Sequence, residues 1–112
     1  MAGYAHDIAN GDRSGLVSRY DPAGTFLLVA GRLEFELHSE IAEEYAKRWS
    51  PPSSFEWRDL HFATAGADAV VRGHFVWGGA SGPLLFTYTG LLRCRQGLLF
   101  IRLEEESPVS SE

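Results

Sequence analysis

The chain has 112 residues and a mass of 12.4 kDa, the size of one domain with a thin core. Its 45% hydrophobic and 22% charged content excludes disorder along the whole chain. Fifteen Asp and Glu oppose ten Lys and Arg for a net charge of −5, and with no basic run this excludes a nucleic-acid partner held through its phosphates.

The first twenty residues read as two short helices. Tyr4, Ala5 and Ile8 form a weak apolar stripe that Asn10-Gly11 interrupts, and Asp12 is placed to cap a second helix carrying Leu16 and Val17. Asp21-Pro22 ends it, because the residue before a proline leaves the helical region. Thr25–Ala30 and Arg32–Leu37 read as strands joined at Gly31, the second half-buried through Leu33, Phe35 and Leu37. Ser39 is the expected N-cap of the clearest helix, in which Ile41, Ala42, Tyr45, Ala46 and Trp49 recur at helical spacing until Pro51-Pro52. Four strands follow, Phe55–Thr64, Val70–Trp77, Leu84–Cys94 and Leu98–Glu104, separated by Gly-containing turns. From Glu104 the chain turns acidic and Ser-rich, and a frayed end is expected.

Short turns between successive strands make an antiparallel meander. The plan is α+β: a curved, mixed or antiparallel six-stranded sheet wrapped around three short helices of the N-terminal half. A cavity between the concave sheet face and the helices is the natural ligand site. Residues 1–106 form a single domain, and 107–112 an acidic tail expected to be disordered.

This order of elements resembles the cone-shaped, cystatin-like fold of the nuclear transport factor 2-like superfamily, which includes SnoaL-like cyclases and ketosteroid isomerases. The resemblance is carried by Asn10–Phe26 (NGDRSGLVSRYDPAGTF), His38–Trp49 (HSEIAEEYAKRW), Ala67–Trp77 (ADAVVRGHFVW) and Leu91–Ser107 (LLRCRQGLLFIRLEEES). It spans roughly residues 5–106; its motifs are loose one by one, and their order and spacing carry it. Two departures concern chemistry. Where ketosteroid isomerases carry a catalytic Asp in the first strand, this chain has Phe26-Leu27-Leu28-Val29, and their oxyanion-hole acid falls near Thr89 or Gly90. On that alignment neither carboxylate has a counterpart.

The strand Val70–Trp77 puts Val70, Arg72, His74 and Val76 on one face. Aligned with the superfamily's strand motif, Arg72 and His74 fall where related enzymes point polar residues into the pocket, which implies His74 as general acid or base and Arg72 as an orienting cation. The alternative is a solvated strand face or a dimer interface. Strict alternation places Phe55, Trp57, Asp59 and His61 on one face of the preceding strand, so that Asp59 and His61 could share a partner. Tyr88, with Phe86 on its face, faces the cavity if the superfamily register holds and offers a hydroxyl there. Tyr20, Phe26, Tyr45 and Trp49 are candidates for the cavity's mouth or floor, Tyr45 and Trp49 mainly as structure. Trp77 is a candidate for a dimer seam, and His6 and His38 are expected to face water.

Cys94 is the one cysteine, which rules out an intramolecular disulfide or a cysteine zinc site and suits a reducing compartment. The four histidines show no metal-ligand spacing, and no Gly-rich phosphate loop opens a helix. No apolar run is long enough to span a membrane, and the start lacks a signal pattern. The expected protein is cytoplasmic, free of metal and cofactor, and dimeric through the outer sheet face, because three short helices cannot cover both faces of a six-stranded sheet. It binds a small apolar molecule, with His74, Arg72 and Tyr88 as candidate catalytic residues of a cofactor-independent lyase, isomerase or hydrolase. The alternative is a non-catalytic dimeric module for ligand binding or protein interaction.

Overall fold

The computed structural model describes residues 2–109. Three helices, α1 (Ala2–Ala9), α2 (Arg13–Ser18) and α3 (His38–Lys47), accompany six strands: β1 (Thr25–Val29), β2 (Arg32–Glu36), β3 (Phe55–Ala65), β4 (Asp68–Gly79), β5 (Gly82–Arg95) and β6 (Leu98–Pro108). Asp12 accepts from the Gly15 amide at 3.0 Å and so caps α2. α3 starts one residue before the expected Ser39 cap: Leu37 holds the cap position, and the Glu40 carboxylate reaches back to its amide at 2.8 Å.

The strands form one mixed sheet in the order β2-β1-β6-β5-β4-β3. β3 to β6 make the expected antiparallel meander, and β1 joins its free edge parallel to β6. Asp21 secures that junction. Its carboxylate is fully buried and receives Arg95 Nε at 2.9 Å, Arg95 Nη2 at 3.1 Å and the Ala23 amide at 2.8 Å. The Asp21 amide donates to the Ile101 carbonyl, which also accepts from Thr25 Oγ1. Burial alone raises the Asp21 pKa, but the Arg95 hydrogen bonds, the Ala23 amide and the nearby guanidinium charges bring it below the usual carboxylate value.

The core lies between the concave sheet face and the helices. Tyr4, Ile8, Leu16, Tyr20 and Ile41 pack there against Val71, Phe75, Tyr88, Leu92 and Ile101. Among the described residues no helix is long and apolar enough to cross a membrane.

Two bulges decide what each face carries. In β3, Arg58 pairs with His74 and His61 with Arg72, so Asp59 and Leu60 together oppose Gly73. Asp59 adopts φ 53°, and a Cβ on Gly73 would lie 2.7 Å from Leu60 Cδ2 and 3.0 Å from the Asp59 carbonyl oxygen. The extra residue reverses the alternation. Phe55 and Trp57 lie in the core cluster, whereas His61 comes to the outer face beside Arg72. In β6, Leu103 pairs with Leu91 and Ile101 with Leu92, which leaves Arg102 as the extra residue. Ile101 is buried on the concave face, and beyond the bulge Glu104 and Glu106 take that face instead of Leu103 and Glu105. Arg102 turns outward, lies 4.9 Å from the Phe26 ring centroid and donates to the Gly24 carbonyl at 2.7 Å.

Several expectations are thereby corrected. Glu104 to Pro108 do not fray, because the β6 backbone bonds to β5 as far as the Phe86–Pro108 pair. Residues 110–112 of the expected tail lie outside the described residues. Leu33 and Phe35 are exposed, since β2 is the sheet edge and turns them to the outer face, and Leu37, past its end, is exposed at the cap of α3. His38 is half-buried, with a ring nitrogen 3.0 Å from the Val17 carbonyl oxygen.

Candidate functional site

A cavity of about 360 Å3 opens between the concave sheet face and the helices, within the size range of small-molecule sites. α1 contributes Tyr4 and Ile8, α3 contributes Ile41, Glu44 and Tyr45, and Arg48 and Trp49 follow at its C-terminal end. The sheet supplies Phe55, Phe75 and Trp77 on one side and Leu27, Glu36, Glu104 and Glu106 on the other. Trp77, a candidate for a dimer seam, lines this cavity.

Glu104 is the polar centre of the wall. It is 7% exposed, with Oε1 accepting from Tyr20 at 2.6 Å and Oε2 from Tyr88 at 2.8 Å. The Tyr20 hydroxyl lies 3.0 Å from that of Tyr45. Since Tyr20 gives its single proton to Glu104, Tyr45 donates to Tyr20. Two phenols, Tyr45 of α3 and Tyr20, thus lead to one buried carboxyl.

Loss of solvent raises the Glu104 pKa; the two phenols oppose it and the charge of Glu36 adds to it, and the outcome is a raised value. The four tyrosines are raised too, first by burial and then by the charge of Glu104, so they stay protonated donors. Glu106 follows on the same face of β6 and is open to water in the cavity. No hydrogen bond or ion pair satisfies its carboxyl among the described residues. Partial loss of hydration at the cavity wall and then the charge of Glu104 push its pKa up to about 8. Glu36 is raised by burial and by the neighbouring Glu44, Glu40 and Glu34.

The residues selected from sequence divide between the two faces. Tyr20, Tyr45 and Trp49 line the cavity. Trp57 and Phe86 belong to the aromatic layer behind it, with Phe86 stacked on Phe75 at 4.9 Å and Trp57 edge-on to Tyr88 at 5.1 Å. Tyr88 is on the concave face, 1% exposed, and spends its hydroxyl on Glu104. Phe26 lies opposite, packed on Phe35 beneath Arg102.

Arg72, His74, Asp59 and His61 come together on the outer face. They line a depression of about 480 Å3 together with Gly73, Thr87, Tyr88, Thr89 and Glu105. Tyr88 thus borders the same depression as Arg72 and His74, but strand alternation sends its side chain to the opposite side of the sheet, where its hydroxyl is held by Glu104. Conversely, Glu104 and Glu106 were not anticipated: the Arg102 bulge that aims them inward has no glycine or proline to announce it. Among the described residues no group of three His, Cys, Asp or Glu side chains is placed to hold a metal ion.

No protein-family model and no curated protein matches the sequence. Solved structures do match the fold. A nuclear transport factor 2-like protein of unknown function from Shewanella oneidensis superposes with a TM-score of 0.81 at 14% identity, covering 94% of this chain and 90% of its own. The chain has the nuclear transport factor 2-like fold. A protein from Parabacteroides distasonis provisionally named a ketosteroid isomerase gives 0.80 at 14% identity, over 98% of this chain and 85% of its own. The S. rosetta CaMKII hub gives 0.71 at 17% identity, over 95% and 88%.

Proposed function

We propose that the cone cavity binds a small, largely apolar molecule and that Glu106 exchanges a proton with it, as in a cofactor-independent isomerase or lyase. The observation that carries this reading is the unpartnered Glu106 carboxyl at the cavity surface, beside a Glu104 already held at both oxygens. A carboxyl whose pKa lies close to neutral is suited to accept a proton at one ligand atom and return it at another. An isomerisation of that kind balances without any further reactant. Tyr20 and Tyr88 fix Glu104, and after loss of solvent the charge of Glu104 is what raises the proton affinity of Glu106 further. The Parabacteroides protein's provisional name is consistent with such chemistry on this fold.

The test follows exchange of the α-protons of 2-tetralone, an enolisable two-ring ketone, in D2O by proton NMR. Wild-type protein is expected to accelerate exchange and Glu106→Gln to lose about a hundredfold of that acceleration, with His74→Ala unchanged. Exchange that survives Glu106→Gln overturns the assignment.

A second reading keeps His74 as acid or base with Arg72. The meeting of both with Asp59 and His61 in the outer depression supports it; loss of exchange in His74→Ala alone would select it. The outer face also favours self-association through the sheet, since Leu33, Phe35 and Leu85 are exposed there. That arrangement is compatible with either site, and with a purely binding role.

A further inference from the structure

The charges around the cavity are one-sided. Four lining carboxyls, Glu36, Glu44, Glu104 and Glu106, face a single lining cation, Arg48. Arg48 is already engaged: it lies 3.7 Å from Glu44, and its side chain is 81% exposed. Glu104 is satisfied by Tyr20 and Tyr88. Glu36 and Glu106 are therefore left with no hydrogen-bonding or ion-pairing partner among the described residues, although they line the same space.

The apolar part of the wall is largely aromatic, and this is independent of the acids. Trp49, Phe55 and Trp77 line the cavity beside Ile8, Leu27 and Ile41, and the faces of such rings carry negative potential; Phe75 lines it too, but Phe55 and Phe86 stack on its faces. Arg13 lies 5.5 Å from the Trp49 ring centroid and donates to the Tyr45 and Trp49 carbonyls, but it is not among the residues lining the cavity. An anionic ligand would bring its charge next to Glu36 and Glu106. A neutral apolar ligand would gain from the rings and nothing from the carboxyls. An organic cation meets both halves of the wall, with its apolar body on the rings and its charge on the carboxyls.

We infer that the cone cavity takes a small organic cation, a protonated amine or quaternary ammonium on an aromatic or aliphatic body. This rests on the reading of the cavity as a ligand site and deepens it by naming the ligand's charge.

The test is isothermal titration calorimetry at pH 8.5 and fixed ionic strength with three probes of similar size. Benzyltrimethylammonium is the cation, neopentylbenzene its neutral isostere, and phenylacetate the anion. Wild-type protein is expected to bind benzyltrimethylammonium at least about tenfold more tightly than neopentylbenzene, the ratio given by one charge-assisted contact. Glu106→Gln and Glu36→Gln should each remove most of that ratio while leaving the affinity for neopentylbenzene as it was. The comparison of probes on wild-type protein is independent of whether either variant folds. Equal binding of cation and isostere, or tighter binding of phenylacetate, overturns the cation assignment and leaves the cavity as a ligand site. Failure of all three probes overturns both.

Discussion

The phenol of Tyr20 donates to Glu104 Oε1 at 2.6 Å, joining two residues 84 positions apart. Tyr20 sits at the end of the second helix and makes an isolated parallel bridge to Ile101, so the hydrogen bond ties the N-terminal helices to the last strand. It also puts a donor on the buried carboxyl from the helical side, while Tyr88 supplies one from the sheet.

Removing either donor should therefore act on Glu104 first. Tyr20→Phe and Tyr88→Phe each leave one carboxyl oxygen without a partner, at a cost of about 1–3 kcal/mol. The Glu104 pKa should rise further in both variants, because the phenols are what opposes desolvation. Carboxyl 13C titration and urea unfolding would check the two effects; a variant with unchanged stability and an unmoved titration would remove Glu104 from the centre of the site.

Glu106 should make stability fall as pH rises. The unfolded chain releases this proton near the ordinary 4.5, the folded chain only near about 8. Between those values unfolding releases a proton, so rising pH favours the unfolded state. Glu106→Gln should raise the Tm at pH 8 and leave it unchanged near pH 4. A gain of equal size at both pH values would show that the effect is not ionisation.

Asp21 has the opposite dependence. Its lowered pKa means that its contribution is present above the ordinary 3.8 and is lost as pH falls below it. Asp21→Asn should cost about 2 kcal/mol at neutral pH, the range of a hydrogen bond to a charged group. Arg95, with its side chain 40% exposed, keeps the cost below that of a wholly buried pair. The difference between wild type and variant in urea unfolding should shrink below pH 3.

At the β3 bulge, Asp59 holds φ 53°, a conformation that costs an L-residue roughly 1 kcal/mol and glycine almost nothing. Asp59→Gly should be neutral or stabilising by up to about 1 kcal/mol, and Asp59→Val destabilising by more than that. If the two variants unfold alike, the backbone there is not constrained as described.

The elements of this fold were legible because each is written in local pattern. Asp12 announces its cap, Ile41, Tyr45 and Trp49 announce α3, and Gln96-Gly97 supplies the positive-φ pair, 52° and 80°, of the last hairpin. The parallel β1–β6 junction is less visible, since it depends on Asp21 meeting Arg95 across 74 residues. The faces were the hardest to read. Strict alternation holds only between bulges, and one extra residue in each of β3 and β6 exchanged inside for outside. Gly73, a glycine within a strand, is the kind of signal that marks the first bulge. Arg102 carries no such mark, and a run of acids after it reads as a solvated end unless two tyrosines far away are known to be waiting for one of them.

The proposed ligand site is the cone, against the carboxyl pair, and not the outer depression. Heteronuclear NMR of the protein titrated with benzyltrimethylammonium tests it most directly, because Trp49 and Trp77 line the cone while Arg72 and His74 border the depression. Binding in the cone should give saturable shifts of the two indole N–H signals, with the His74 ring and Arg72 side-chain signals unmoved. Shifts confined to His74, Arg72 and His61 would contradict it and move the site to the outer face of the sheet.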